Sequence, residues 1–281
     1  MEVKITKEYK DRLFRLVFRE KKDLLDLYNA VNDTHYSNAD ELHIVTLENM
    51  LYLKMKNDIS FLIGDILNLY EHQSTVNPNM PVRGFLYFAE TYQKYLKKYK
   101  YNLYGSKLIP LPRPQYVIFY NGTEKQPDRS QLKMSDAFPH SKTAMEPCLE
   151  CKALMLNINK GRNRELMEKC GRLKEYSLFI AKVREKLTLD LPFTEAVDMA
   201  IRECIRENIL KDILINHRAE VINMLFTEYD EQEHMASVKE EGQNRVNQLI
   251  RLLIRESRSG EIEKAVMDPV YQDQLFQEFN L

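Results

Sequence analysis

The segment KMKNDISFLIGDILNLYEHQS, residues 54–74, sets two acids, Asp58 and Glu71, on either side of a short apolar hairpin. Gly64-Asp65 separates the runs ISFLI and ILNLY with the glycine first, as a type II′ two-residue turn prefers. That turn fixes a register: Ile63 faces Ile66, Leu62 faces Leu67, and the continued ladder puts Asp58 opposite Glu71 and Lys56 opposite Gln73. Alternation then gathers Lys56, Asp58, Ser60, Leu62, Leu67, Leu69, Glu71 and Gln73 on one face. Two carboxylates opposed in this way would have Cβ atoms about 4.5–5.5 Å apart. Like charges that close repel, and burying them without compensation is costly. A hard divalent cation compensates, and Mg2+ typically takes one or two carboxylates while keeping water and phosphate in its other positions. With Lys56 and Gln73 beside the metal-bound water, the arrangement suits phosphodiester hydrolysis. The plainer alternative is that Asp58 caps a strand and Glu71 pairs diagonally with Lys56.

Such a hairpin needs a sheet, and the chain has one to offer. From His43 to His72 the runs HIVT, MLYL, ISFLI and ILNLY suit strands. NPNMP breaks the pattern at residues 77–81, a helix is expected from about Val82 to Tyr99, and PQYVIFYNG reads as an apolar strand ending at an Asn-Gly turn. ALMLNIN, residues 153–159, is the expected last strand. Residues 8–31 read as two short helices broken at Lys21, Lys22 and Asp23. Beyond Gly161 the apolar spacing is almost wholly helical, an acidic stretch at 228–241 reads as a solvated linker, and a basic amphipathic helix from Arg245 to Arg255 precedes a last short segment after Gly260. The expected architecture is α/β: a mixed sheet flanked by helices in residues 1–160, a helical region at 161–227 packed on it, and a linker with a helical tail at 228–281.

Composition narrows the function classes. With 44% hydrophobic and 30% charged residues among 281, the chain is too apolar for disorder and too charged for a membrane bundle. MEVKITKEYK lacks the apolar region of a signal peptide, and no apolar run reaches the roughly 18 residues a span needs, so a cytoplasmic protein with no membrane partner is expected. Four cysteines in so long a chain are expected as thiols; Cys148 and Cys151 have the spacing of half a zinc site without its other half.

An acid, about a dozen residues of hairpin and then Glu-x-Gln resemble the PD-(D/E)XK nuclease motif in its variant with Gln in place of Lys. The wider string NDISF to NPNMPVR, with DRLFRLVF before it and FYNG after it, resembles the Rpn family of recombination-promoting nucleases, also described as transposases. The resemblance implies a restriction-endonuclease-like core, Mg2+-dependent DNA cleavage and a role in recombination or mobile elements. It assigns Asp58 and Glu71 as metal ligands, with Glu48 and Asp11 as further candidate acids, and puts Gln73 at the Lys position. A neutral amide there cannot stabilise negative charge as an ammonium does, so either Lys56 supplies the cation or catalysis is weaker.

No acid lies between Glu90 and Glu124, whereas Lys94, Lys97, Lys98 and Lys100 alternate there with Tyr92 and Tyr95; this is the candidate DNA-facing surface, the alternative being a solvated helix face with its tyrosines packed on the core. Arg83, near the expected helix start, is a candidate phosphate ligand. His72 alternates to the opposite face, where a packing role is expected. The amphipathic helix around Leu249, Leu252 and Leu253 is a candidate oligomer contact. Two other functions stay open: a nuclease-fold DNA-binding protein without turnover, and an assembly protein acting through the helical half.

Overall fold

The computed structural model describes residues 12–44, 59–138, 146–189, 191–279 and 281, with the side chains of 227–242 left aside. Two compact units divide the chain, Met1–Phe226 and Thr227–Leu281.

The first unit is built on a six-stranded sheet of β1 (His43–Ile44), β2 (Ile59–Ile63), β3 (Ile66–Gln73), β4 (Arg113–Tyr120), β5 (Arg129–Lys133) and β6 (Lys152–Asn157), in the order β1-β2-β3-β4-β6-β5. The first three strands form an antiparallel meander, β4 joins β3 in parallel, β6 joins β4 in parallel, and β5 closes the far edge antiparallel to β6. Apolar side chains on both faces of β3 and β4 require cover on both sides, as parallel pairs do. One face carries Phe61, Tyr70, Val117, Phe119 and Leu156 against α1 (Arg12–Val17), α2 (Lys21–Asn32), α4 (Arg164–Lys169), α5 (Gly171–Leu187) and α6 (Phe193–Arg206), forming the larger core with α7 (Lys211–Asn216). The other face carries Leu67, Leu69, Tyr116, Ile118, Tyr120 and Met155 against α3 (Met80–Lys98).

The N-terminal helices break at residues 18–20, slightly earlier than expected, because Phe18 must turn inward and is 1% exposed. Helix α3 opens with Pro81 in its first turn, where the missing N–H costs nothing. Its approach to the sheet depends on Gly84: a Cβ there would lie 2.3 Å from the ring of Tyr116 on β4. The helix therefore seats backbone on ring, which a larger residue would forbid.

Helix α8 (Arg218–Arg255) leaves the first unit and enters the second. It includes the acidic stretch 228–241 expected as a linker. That stretch contains neither Gly nor Pro and is rich in helix formers, so its charge does not interrupt the helix. In the second unit Leu249 and Leu253 pack with Ala265 of α9 (Ile262–Met267) and with Leu275 and Phe276 of α10 (Pro269–Glu278). The stripe that includes the candidate oligomer contact thus packs largely within its own unit, with Leu252 half-buried beside it. Among the described residues, no helix is long and apolar enough to cross a membrane.

Candidate metal and nucleic-acid site

The hairpin holds the register its turn dictates. Ile59 pairs with Tyr70, Ser60 with Leu69, Phe61 with Asn68, Leu62 with Leu67 and Ile63 with Ile66. Gly64 has φ 56 and Asp65 is not among the residues of positive φ, the pattern of a turn that needs glycine only in its first central position. Asp58, Lys56, Glu48 and Asp11 lie outside the described residues.

Glu71 sits near the carboxyl end of β3, opposite Ile118 of the parallel neighbour β4, and is completely buried. Its Oε2 lies 3.8 Å from Nη2 of Arg83, whose side chain is 28% exposed. The guanidinium is held in turn: Nη2 donates to Tyr87 Oη at 3.1 Å and Nη1 to the Met80 sulfur at 3.2 Å. Burial alone would make Arg83 easier to deprotonate, but the Glu71 charge, with Tyr87 and Tyr116, reverses this and fixes it as a cation. Two unit charges about 4 Å apart attract by about 4 kcal/mol at an effective dielectric of about 20, enough to matter in a protein stable by about 5–15 kcal/mol. Burial also pushes the Tyr116 phenol well up; the Glu71 charge adds to that shift and Arg83 opposes it.

Arg83, the candidate phosphate ligand, thus stands beside Glu71 with its side chain partly exposed. Tyr87 and Tyr116 complete its surroundings, and of these Tyr87 is not singled out from sequence. The signal for Tyr87 was present in its spacing of four from Arg83 within one helix; no local signal places Tyr116 beside Arg83, because only the parallel β3–β4 pairing and Gly84 bring it there. Gln73, half-buried, ends β3 opposite Tyr120 on the same side as Glu71, and its carbonyl accepts the Asn121 N–H at 2.9 Å. His72 takes the other face, with Nε2 2.9 Å from Tyr176 Oη and its ring stacked on Phe14 at 5.3 Å.

Glu71 is a hard oxygen donor of the kind Mg2+ uses. Among the described residues, no three His, Cys, Asp or Glu side chains come together to hold a metal. Cys148 is exposed and Cys151 half-buried, and burial beside Glu150 pushes the Cys151 thiol up to about 11. Cys170 and Cys204 lie buried in the helical layer, burial pushing each thiol up to about 12.

The expected DNA-facing residues lie along α3 and its end. Lys94 is ion-paired with Glu90 at 2.9 Å, the i, i+4 spacing of one helix face. Tyr92 is a strut: its hydroxyl donates to the Pro112 carbonyl at 2.6 Å, and burial pushes it up to about 12. Lys97, Lys98 and Lys100 are exposed, and Tyr95 is half-buried. Comparison with protein-family models, with curated proteins and with solved structures finds no match to this chain.

Proposed function

We propose that this chain is a Mg2+-dependent DNA endonuclease with a restriction-endonuclease-like core, in which Asp58 and Glu71 hold the cation and Gln73, helped by Lys56, orients the attacking water. The observation that carries the reading is the hairpin register: continued by one residue beyond Ile59–Tyr70, it would set Asp58 opposite the buried Glu71. The order of elements supports it too, with helices before an antiparallel meander, then α3, then a strand parallel to the last of the three. The acid of the site would lie toward the carboxyl ends of β3 and β4, the edge where open α/β sheets bind ligands.

When bound, the cation would polarise the phosphoryl oxygen and lower the pKa of bound water. The chain's own residues would do the rest. Glu71 fixes one ligand direction from a rigid strand. Gln73, two residues further on the same face, can accept a water proton in a hydrogen bond and hold that water's orientation. Arg83 offsets the missing ammonium at the Gln73 position, since a guanidinium this near Glu71 can also meet a phosphate oxygen. The biological context we propose is recombination or mobile-element maintenance, in the cytoplasm.

A second reading is favoured by the same ion pair. Arg83 already neutralises part of the Glu71 charge, so a nuclease-fold protein that binds DNA without cleaving it fits the described residues as well. Supercoiled plasmid incubated with Mg2+ separates the two. Nicked and linear products that disappear with EDTA and in Asp58→Ala support the endonuclease; intact plasmid with a salt-sensitive mobility shift supports the silent binder.

A further inference from the structure

We propose that the distal end of α3 is a stacking platform for single-stranded DNA, which makes strands with unpaired bases the substrate class of the site described above; the inference rests on the reading of this chain as a DNA-acting protein. The platform comes from the way the helix ends. Lys100 adopts φ 54, a left-handed conformation that reverses the chain, and the Tyr101 N–H donates back to the Leu96 carbonyl at 3.0 Å. The reversal returns Tyr101 to the helix it has just left. Its ring stacks with Tyr95 at 6.1 Å and 24° between planes, while Tyr99 sits 4.6 Å from Tyr95 and 6.1 Å from Tyr101.

These rings open onto a surface that the described residues leave uncovered. Tyr99 is 50% exposed, and in the loop that follows Tyr104 is 99%, Leu108 92% and Leu103 66% exposed. Single exposed apolar residues are ordinary, but a run of them in one loop beside a cluster of rings marks a binding surface. Charge says what the surface fits. Lys97, Lys98, Lys100 and Lys107 make no ion pair among the described residues, and no acid occurs between Glu90 and Glu124. Lys98 Nζ stands 5.4 Å over the Tyr99 ring, so a cation and an aromatic face are offered together.

A partner that meets both demands must carry regular negative charge and flat apolar faces. An unpaired DNA strand does so, with phosphates for the lysines and bases for the rings. A duplex supplies the phosphates but hides its base faces in the stack. An apolar protein surface would leave the lysines unused.

Fluorescence anisotropy in EDTA tests this without cleavage, using fluorescein-labelled oligothymidylate and a mixed-sequence duplex of equal length. We expect oligothymidylate to bind more tightly than duplex, and Tyr99→Ala combined with Tyr101→Ala to weaken that binding by about 10-fold or more. Tyr99 is half exposed and Tyr101 partly exposed, and both lie past the last turn of α3, so the variant's circular dichroism should stay unchanged. Lys100→Gly is the charge control: glycine tolerates the left-handed turn, so the strand preference should persist while the log–log salt slope falls by about 0.7. Duplex bound as tightly as the single strand, or a tyrosine variant binding as wild type does, would overturn the platform and leave the nuclease reading standing. No binding to either nucleic acid would overturn the platform and the DNA-facing surface together, while plasmid cleavage still reports on the metal site separately.

Discussion

Removing Arg83 should expose how much of the first unit's stability is held by one buried charge pair. The perturbation is Arg83→Met, which keeps most of the apolar stem and deletes the guanidinium 3.8 Å from Glu71 Oε2. Attraction at that separation is about 4 kcal/mol at an effective dielectric of about 20, and breaking a buried pair from one side costs about 3–5 kcal/mol. Because the Arg83 side chain is 28% exposed, water recovers part of this, and a loss of about 2–4 kcal/mol at pH 7 is expected. Glu71→Gln in the same background should restore much of the loss, since the double variant no longer buries a carboxylate without its guanidinium. The assay is urea unfolding by circular dichroism, as the chain has no tryptophan. A coupling energy of about 2 kcal/mol or more from the four-variant cycle is the expected result. Additivity to within about 0.5 kcal/mol would refute the claim that these side chains act as a pair.

Gly84→Ala places a methyl 2.3 Å from the Tyr116 ring, so it should lose about 1–3 kcal/mol by overpacking and shrink the Arg83–Glu71 coupling by lifting α3; an unchanged midpoint would contradict the close seating of that helix. The hydroxyl of Tyr176 meets His72 inside the core, and Tyr176→Phe should lower stability by about 1–3 kcal/mol in the same assay. Glu203 is hydrogen-bonded first to Lys182 and then to Lys186, which hold its carboxyl down at about 2. A depressed carboxylate contributes stability above its unfolded pKa of about 4.3 and loses it as pH falls through the folded value. The urea midpoint gap between wild type and Glu203→Gln should therefore be constant above about pH 5, narrow below about pH 4 and close near about pH 2; a gap independent of pH would contradict the ion-pair account.

What the sequence made legible was what neighbouring residues decide. The hairpin from Ile59 to Gln73 follows from Gly64-Asp65 and period-two alternation, both local, and the register from Ile63–Ile66 back to Ile59–Tyr70 is the expected one, while the expected Asp58–Glu71 and Lys56–Gln73 pairs lie outside the described residues. The α/β architecture, α3 and the strand PQYVIFY were legible for the same reason. Strand β5, RSQLK, was not: it is a half-buried edge strand alternating exposed and intermediate positions, without an apolar run to mark it. The helical state of the acidic stretch was not read because charge says how a segment meets water, whereas the absence of Gly and Pro says whether a helix can continue. The ion pair between Arg83 and Glu71 depends on packing that no local pattern shows. Arg83 reaches Glu71 only because α3 crosses β3 and β4 on the side where Gly84 admits the Tyr116 ring, a contact between residues far apart in the chain.

The central claim is that Asp58 and Glu71 share one divalent cation, and Mn2+ binding followed by electron paramagnetic resonance tests it most directly. Wild-type protein should quench the free Mn2+ signal with one tight site that Mg2+ displaces, and Asp58→Ala and Glu71→Gln should each abolish that site while keeping the wild-type circular dichroism. Tight binding that survives both substitutions, or wild-type protein that leaves the free Mn2+ signal unchanged at millimolar concentration, would contradict it.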